Sequence, residues 1–318
     1  MRETLAAVPG ETPAAYRPAA DGGGAEAGGT ARSAVEEKTG RRRNLSYPPA
    51  PQPLPVPVLD NHTHLDFRDG LVEVAVRDAL DAAEAVGVRG AVQVGCDLES
   101  SRFTVAALEA EPRLLGAVAI HPNDAPPLAA AGTLDAALAE IEELAAHPRV
   151  RAIGETGLDY FRTHGPGLKD QEYSFRRHID IAKRLDLALQ IHDRDAHDDV
   201  VRILAAEGAP PKVVFHCFSG GPELARICNE HGWYMSFAGT ATFKNSSGLR
   251  EALALADPRL VMVETDAPFL TPHPYRGRPN ASYMVPYTVR AIAGFLGKDL
   301  AQLCQEVARN TESVYGQW

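Results

Sequence analysis

The chain has 318 residues, 45% of them hydrophobic and 23% charged, and a formal net charge of -10. That length admits one α/β barrel of ~250 residues plus an extension. The composition excludes wholesale disorder, and no run approaches the ~20 apolar residues that a bilayer span needs. The acidic balance excludes a general attraction to phosphate backbones, so a phosphate-bearing substrate has to be held locally, for example by metal ions.

In chain order, residues 1–55 come first, rich in Gly, Ala and Pro and ending in Pro48-Pro49-Ala50-Pro51-Gln52-Pro53. With little apolar surface to bury, they are expected to be a disordered arm. Its one basic run, Arg41-Arg42-Arg43, reads as a solvated tail or a weak nucleic-acid contact. No apolar h-region follows the N-terminus, so no secretory signal is expected. From residue 56 to 318 the pattern is that of a single catalytic domain, in which short β-branched runs alternate with longer amphipathic stretches. The runs number eight: Val58–Asn61, Gly90–Gly95, Leu114–Ile120, Val150–Glu155, Leu187–His192, Lys212–His216, Trp233–Phe237 and Leu260–Asp266. Helices are predicted over Leu71–Val86, Leu134–Ala146, Leu168–Arg184 and Pro222–His231, with Ala281–Leu296 and Leu300–Tyr315 closing the fold.

Eight strands with helical crossovers make either an open doubly wound sheet or a closed barrel. The polar residues decide for closure. His, Glu or Asp stands at the C-terminal end of runs one, three, four, five, six and eight, and only a ring brings six such ends to one centre. The expected fold is therefore an α/β (β/α)8 TIM barrel behind a disordered arm. No dinucleotide-binding glycine pattern and no Walker-type loop is present. Four cysteines without CxxC spacing, Cys96, Cys217, Cys228 and Cys304, read as buried thiols of a reducing compartment, the cytoplasm.

His62 and His64 stand two apart at the end of the first run, so an extended backbone points both imidazoles one way, as a shared metal requires. Asp60 lies on the same face and can orient one imidazole. Glu155 ends the fourth run between small residues, and its two oxygens can bridge two cations. His192 and His216 end runs five and six; either alone reads as a hydrogen-bonded core histidine, but matching positions make both of them ligands. Asp266 ends the eighth run, suited to hold a metal and accept a proton from water, with Glu264 on the same face behind it. His121 follows run three and is either a substrate contact or a structural loop residue. His147, His178, His197 and His231 fall on helices or their ends and are expected to be solvated or capping. Four imidazoles and two carboxylates suit divalent Zn, Mn or Mg, and two ions ~3.5–4 Å apart would clamp the oxygens of an in-line displacement.

Five motifs, Asp60-Asn61-His62-Thr63-His64-Leu65-Asp66, Gly154-Glu155-Thr156-Gly157-Leu158-Asp159-Tyr160, Ile191-His192-Asp193-Arg194-Asp195-Ala196, His216-Cys217-Phe218-Ser219-Gly220 and Glu264-Thr265-Asp266-Ala267-Pro268, resemble in kind and order those of the TatD family of metal-dependent deoxyribonucleases, amidohydrolase-like barrels. The resemblance runs from about Leu59 to Tyr315. It implies that His62, His64 and Asp266 hold one metal and His192 and His216 the other, with Glu155 bridging and Asp266 as general base. It further implies substrate contacts at Arg194, Arg276 and Asn280, and 3′-5′ exonuclease action on DNA, at single-stranded or frayed ends. The chain departs from the family pattern after Asn280, where Ala281-Ser282-Tyr283 replaces a proline-containing stretch, and in the arm before Leu59. No lysine stands where urease-type and dihydroorotase-type centres carry their bridging residue; Glu155 does. The alternative is the same centre acting on a small ester, amide or aminoacyl ester. No membrane association and no obligate protein partner is expected.

Overall fold

The computed structural model describes residues 8–18, 32–35 and 40–318. Eight strands follow one another as β1 (Val58–Thr63), β2 (Val88–Gly95), β3 (Leu114–Val118), β4 (Val150–Asp159), β5 (Ala188–Arg194), β6 (Val213–Phe215), β7 (Tyr234–Phe237) and β8 (Val261–Val263). They form one sheet in sequence order. Helices fill the crossovers: α1 (Val76–Glu84), α2 (Leu98–Ala110), α3 (Ala125–Ala130), α4 (Leu134–Ala145), α5 (Gly167–Arg184), α6 (His197–Glu207), α7 (Pro222–His231), α8 (Ser247–Leu255), α9 (Val285–Leu296) and α10 (Leu300–Tyr315). This is the (β/α)8 barrel class expected from the run-end ligands.

Local chemistry explains the element ends. At the start of α2, Asp97 accepts from the Ser100 amide while the Ser100 hydroxyl accepts from the Asp97 amide, a reciprocal cap that satisfies two otherwise orphaned donors. Helix α7 starts with Pro222 in its first turn, where no intrahelical donor is lost, and stops at Gly232 in the left-handed conformation.

Chain contacts divide into two compact units. The larger comprises residues 92–236, 247–262 and 310–318. Its strands β3 to β7 pair in parallel, with Gly157 of β4 opposite His192 of β5 and Phe215 of β6 opposite Met235 of β7. Val92, Val94, Leu115, Ala117, Ala152, Ala188, Val214 and Met262 build its buried core with Tyr315 of α10, whose hydroxyl accepts from Gln190 at 2.7 Å.

The other unit comprises residues up to 91, 237–246 and 263–309. Here the stretch after β8 pairs in parallel with the end of β1, through the Thr63–Ala267 bridge and amide bonds from Asp266 to the His62 carbonyl (3.0 Å) and from His64 to the Ala267 carbonyl (2.8 Å). A pairing of the first strand with the continuation of the last is what closes a barrel sheet.

The described parts of the arm differ from the disorder expected of it. They are packed on this second unit: Tyr16 and Tyr47 are buried, stacked edge-to-face with each other and, through Tyr16, with Tyr283. Arg43 is buried too, bonding both oxygens of Asp69 at 2.9 and 2.6 Å, so it is neither a solvated tail nor a nucleic-acid contact. Tyr283 donates to the Pro48 carbonyl and Arg290 to that of Pro53, which uses carbonyls that prolines still offer as acceptors. Two aromatic rings and one buried guanidinium outweigh a composition that reads as disorder. Residues 1–7, 19–31 and 36–39 lie outside the described residues.

Candidate metal centre

At the end of β1, His62 and His64 present their Nε2 atoms to each other at 3.1 Å. Asp266 places Oδ1 3.7 Å from the first and 3.4 Å from the second. Donors bound at ~2.0–2.2 Å to one tetrahedral cation stand about 3.3–3.6 Å apart, so these three atoms have the spacing of a coordination edge. The backbone holds them there. Asp266 adopts φ 54°, a conformation uncommon for a residue with a side chain, and its carbonyl accepts from the Phe269 amide at 2.7 Å. Beneath it, Asp60 accepts from the Thr265 amide (2.8 Å) and hydroxyl (2.6 Å), tying strand one to the Asp266 turn. Burial raises the Asp60 carboxyl to about 7 against the opposing pull of the Thr265 hydroxyl.

In the other unit, Glu155 gathers three imidazoles. Its Oε1 lies 2.7 Å from His192 Nδ1, 3.0 Å from His216 Nε2 and 3.3 Å from His121 Nε2. His121, Glu155 and His192 offer donor atoms all within 4.8 Å of one another, a set that fits a cation. Burial opposes a charge on Glu155, but the facing His216 and His121 prevail and hold it well below the usual carboxylate range. His192 is raised for the complementary reason: burial disfavours its cation, while hydrogen bonds to Asp159 and Glu155 outweigh that cost. Asp159 accepts at 3.2 Å from His192 Nε2 and at 2.9 Å from Asn123 Nδ2. Although burial pushes Asp159 up, these bonds and the Arg162 amide bring it below the ordinary range. His192 thus stands between two carboxylates, with Nδ1 facing Glu155 and Nε2 facing Asp159.

The glycines beside Glu155 let β4 and β5 pair closely. A Cβ on Gly154 would come within 2.3 Å of the Gln190 Cβ, and one on Gly157, at φ +144°, within 2.1 Å of the His192 carbonyl oxygen. Only glycine lets β4 pass β5 this closely.

Other expected residues divide clearly. Asn280 is buried, with its amide donating to the Thr265 and Phe269 carbonyls (3.0 and 2.6 Å) and its oxygen accepting from Ala281. It fastens the turn after Asp266 and has no donor left for a substrate, which corrects the contact expected there. Asp60 engages Thr265 and the His62 amide, not an imidazole, among the described residues. Glu264 is fully buried and acts electrostatically on Asp60. Arg276 is exposed and lies 4.2 Å over the Phe243 ring, and Arg194 4.1 Å over the Phe161 ring, so both present cations on aromatic supports.

His121 joins the Glu155 set instead of a loop. His178, expected to be solvated or capping, is fully buried: it accepts from the Ile120 amide at 3.2 Å, pairs with the Thr156 hydroxyl at 2.9 Å, and burial lowers it to about 3. Two site residues escaped sequence reasoning. Asp159 stood in a quoted motif without a role, and Cys96, expected to be a buried thiol, is partly exposed with its Sγ 3.6 Å from Glu155 Oε2. Run-end position marks both, Asp159 as the last residue of β4 and Cys96 as the first after β2.

The fold and these imidazole–carboxylate sets define a metal-dependent hydrolase. Residues 59–316 match the family described as TatD related DNase. A relative named metal-dependent hydrolase TatD, from Mycobacterium tuberculosis, is 43% identical over 266 residues, covering 81% of this chain and 98% of that protein. Another, the metal-dependent hydrolase YabD of Bacillus subtilis, is 35% identical over 260 residues, again covering 81% and 98%. Among solved structures, the TatD homologue YjjV of Escherichia coli superposes with a TM-score of 0.74 at 24% identity, covering 82% of this chain and 98% of that one. The chain belongs to the TatD family and uses divalent metal. No helix among the described residues is long and apolar enough to cross a membrane.

Proposed function

We propose that this hydrolase cleaves DNA phosphodiester bonds, as a 3′-5′ exodeoxyribonuclease acting on single-stranded or frayed ends. The observation that carries the reading is the strand-end donor set in a chain of a DNase-related family: His62, His64 and Asp266 in one unit, Glu155, His192 and His216 in the other. The family resemblance implies that these six supply two ligand sets, with Glu155 as the shared ligand. Two divalent cations, when bound, provide Lewis acidity toward the phosphate and an acidified water. Asp266, 14% exposed, takes the proton of the attacking water. Asp159 keeps His192 in the tautomer that offers Nδ1. Arg194 and Arg276 supply local positive charge to a strand in a protein of net charge -10. Four free cysteines support the cytoplasm as its place.

The test is degradation of end-labelled single-stranded DNA by metal-stripped protein resupplied with Mg, Mn or Zn. Stepwise shortening from the 3′ end is expected, falling by about two to four orders of magnitude in Asp266→Ala, the span of general-base contributions. Absence of shortening with every metal, together with turnover of aminoacyl esters, would transfer the same centre to the small-ester reading.

A further inference from the structure

Arg32 lies before the residues that the family match covers, yet it reaches the turn that carries Asp266. Its Nη1 donates to the Pro268 carbonyl at 3.0 Å, and its guanidinium carbon lies 5.0 Å from the centroid of the Phe269 ring. Phe269 in turn meets His64 edge-to-face, with centroids 6.3 Å apart. One aromatic ring therefore separates the guanidinium from the His62–His64–Asp266 set.

The docking of this segment is built into the fold. The Arg32 amide donates to the Arg68 carbonyl at 2.9 Å, Arg43 Nε to the Gly277 carbonyl at 3.1 Å, and the Tyr47 hydroxyl to the Asp69 carbonyl at 3.0 Å. Gly70, at φ +78°, leaves room for the arm; a Cβ there would stand 2.6 Å from the Tyr47 ring.

Donors are left over. Asp69 is already matched by both nitrogens of Arg43, and Arg32 reaches it with a single nitrogen at 3.3 Å. Two guanidinium groups share this carboxylate, and Arg32 also feels the charge of Asp266. The Nε and Nη2 of Arg32 make no hydrogen bond among the described residues, and its side chain is 28% exposed. Two free donors in a planar fork, beside a phosphodiester-cleaving centre, match the geometry of a phosphate.

We propose that Arg32 is a substrate-binding residue contributed by the N-terminal arm: its guanidinium contacts a backbone phosphate of the single strand engaged at the His62–His64–Asp266 set. This rests on the nuclease reading above. The arm thereby forms a wall of the substrate path and adds a positive contact to those of Arg194 and Arg276, from outside the family-matched residues.

The test measures binding without turnover. The metal-stripped full chain is titrated into a short 5′-fluorescein-labelled single-stranded DNA, by anisotropy, across a range of NaCl concentrations. For Arg32→Gln, Kd is expected to rise about five- to tenfold at low salt, and the slope of log K against log salt to flatten by about 0.7, the share of one single-strand phosphate contact. Arg32→Lys is expected to restore most of the slope, because it keeps the charge. Arg43→Gln, which removes the buried partner of Asp69, serves as the arm-loosening control and is expected to lower Tm. If Arg32→Gln binds with the parent's Kd and slope while the parent cuts DNA, Arg32 only anchors the arm and the inference fails alone. If the parent neither binds nor shortens DNA with any metal, the nuclease reading fails and takes the inference with it.

Discussion

The two donor sets are held by different physics. His62, His64 and Asp266 are fixed by backbone: paired strand ends, a left-handed turn residue, an asparagine that staples the following turn, and Asp60 bonded to Thr265. Glu155, His192, His216 and His121 are fixed by one another, with Asp159 completing a carboxylate–imidazole network. A backbone-held set keeps its geometry when one member is lost, whereas a network held by mutual charge reorganises around every loss. The first is thus a preformed cradle, and the second a set whose protonation and geometry are linked.

Removing the hub should break the network most severely. Glu155→Ala is expected to lower activity by about three orders of magnitude or more, since it deletes the acceptor of three imidazoles and, under the proposed function, a metal ligand. In the metal-stripped variant, His192 should titrate lower than in the parent, because it keeps only Asp159 against the cost of burial. Histidine titration by NMR reads this directly. An unmoved His192 would show that Glu155 does not interlock the set and would erase the contrast between the two.

Acid provides the next largest effect, and it strikes the network's unit through His178. This imidazole is neutral and buried, accepting from the Ile120 amide beside Thr156. Its folded-state value of about 3 lies below the unfolded 6.5, so its contribution is fully present above pH 6.5 and is lost as pH falls toward 3. The loss runs at about 1.4 kcal/mol per pH unit, or about 3 kcal/mol by pH 4.5. Urea denaturation across this range should show that slope in the parent and a shallower one in His178→Gln, whose amide oxygen can still accept from Ile120. Equal slopes would remove His178 as the acid-sensitive support.

How much of this was legible in the sequence follows from what each residue depends on. His62, His64, Glu155, His192, His216 and Asp266 stand out as candidates because alternation and run-end position are properties of the chain itself. The barrel followed from where those ends must meet. Asp159 and Cys96 depend on which strands are neighbours and how far β4 extends past Glu155, facts that only pairing supplies. Asn280 misled because a polar residue near a site reads as a substrate contact until its partners are known, and here they are all backbone. The described parts of the arm differ for the opposite reason. Its composition averages out Tyr16, Arg43 and Tyr47, three residues whose burial decides that the segment docks. His178 shows the limit of helical periodicity, which places a histidine on a helix without saying that its ring replaces a missing partner for the Ile120 amide.

The gentlest probe of the contrast is Asp159→Asn. The substitution keeps size and an acceptor oxygen but removes the charge that raises His192 and holds its Nε2. Loss of an orienting carboxylate behind a metal-binding histidine typically costs 10- to 100-fold in metal affinity or activity, so a shift of about that size is expected. The shift should fall on one class of ion only. Metal titration of the stripped variant should weaken one binding step and leave the other, held by the backbone-fixed His62, His64 and Asp266, near the parent's affinity. If both steps weaken together, the sets are not separable and Glu155 couples them more strongly than the backbone insulates them. If neither moves, Asn123 and the Arg162 amide alone suffice to orient the Asp159 position, and the charge on Asp159 is dispensable for holding His192.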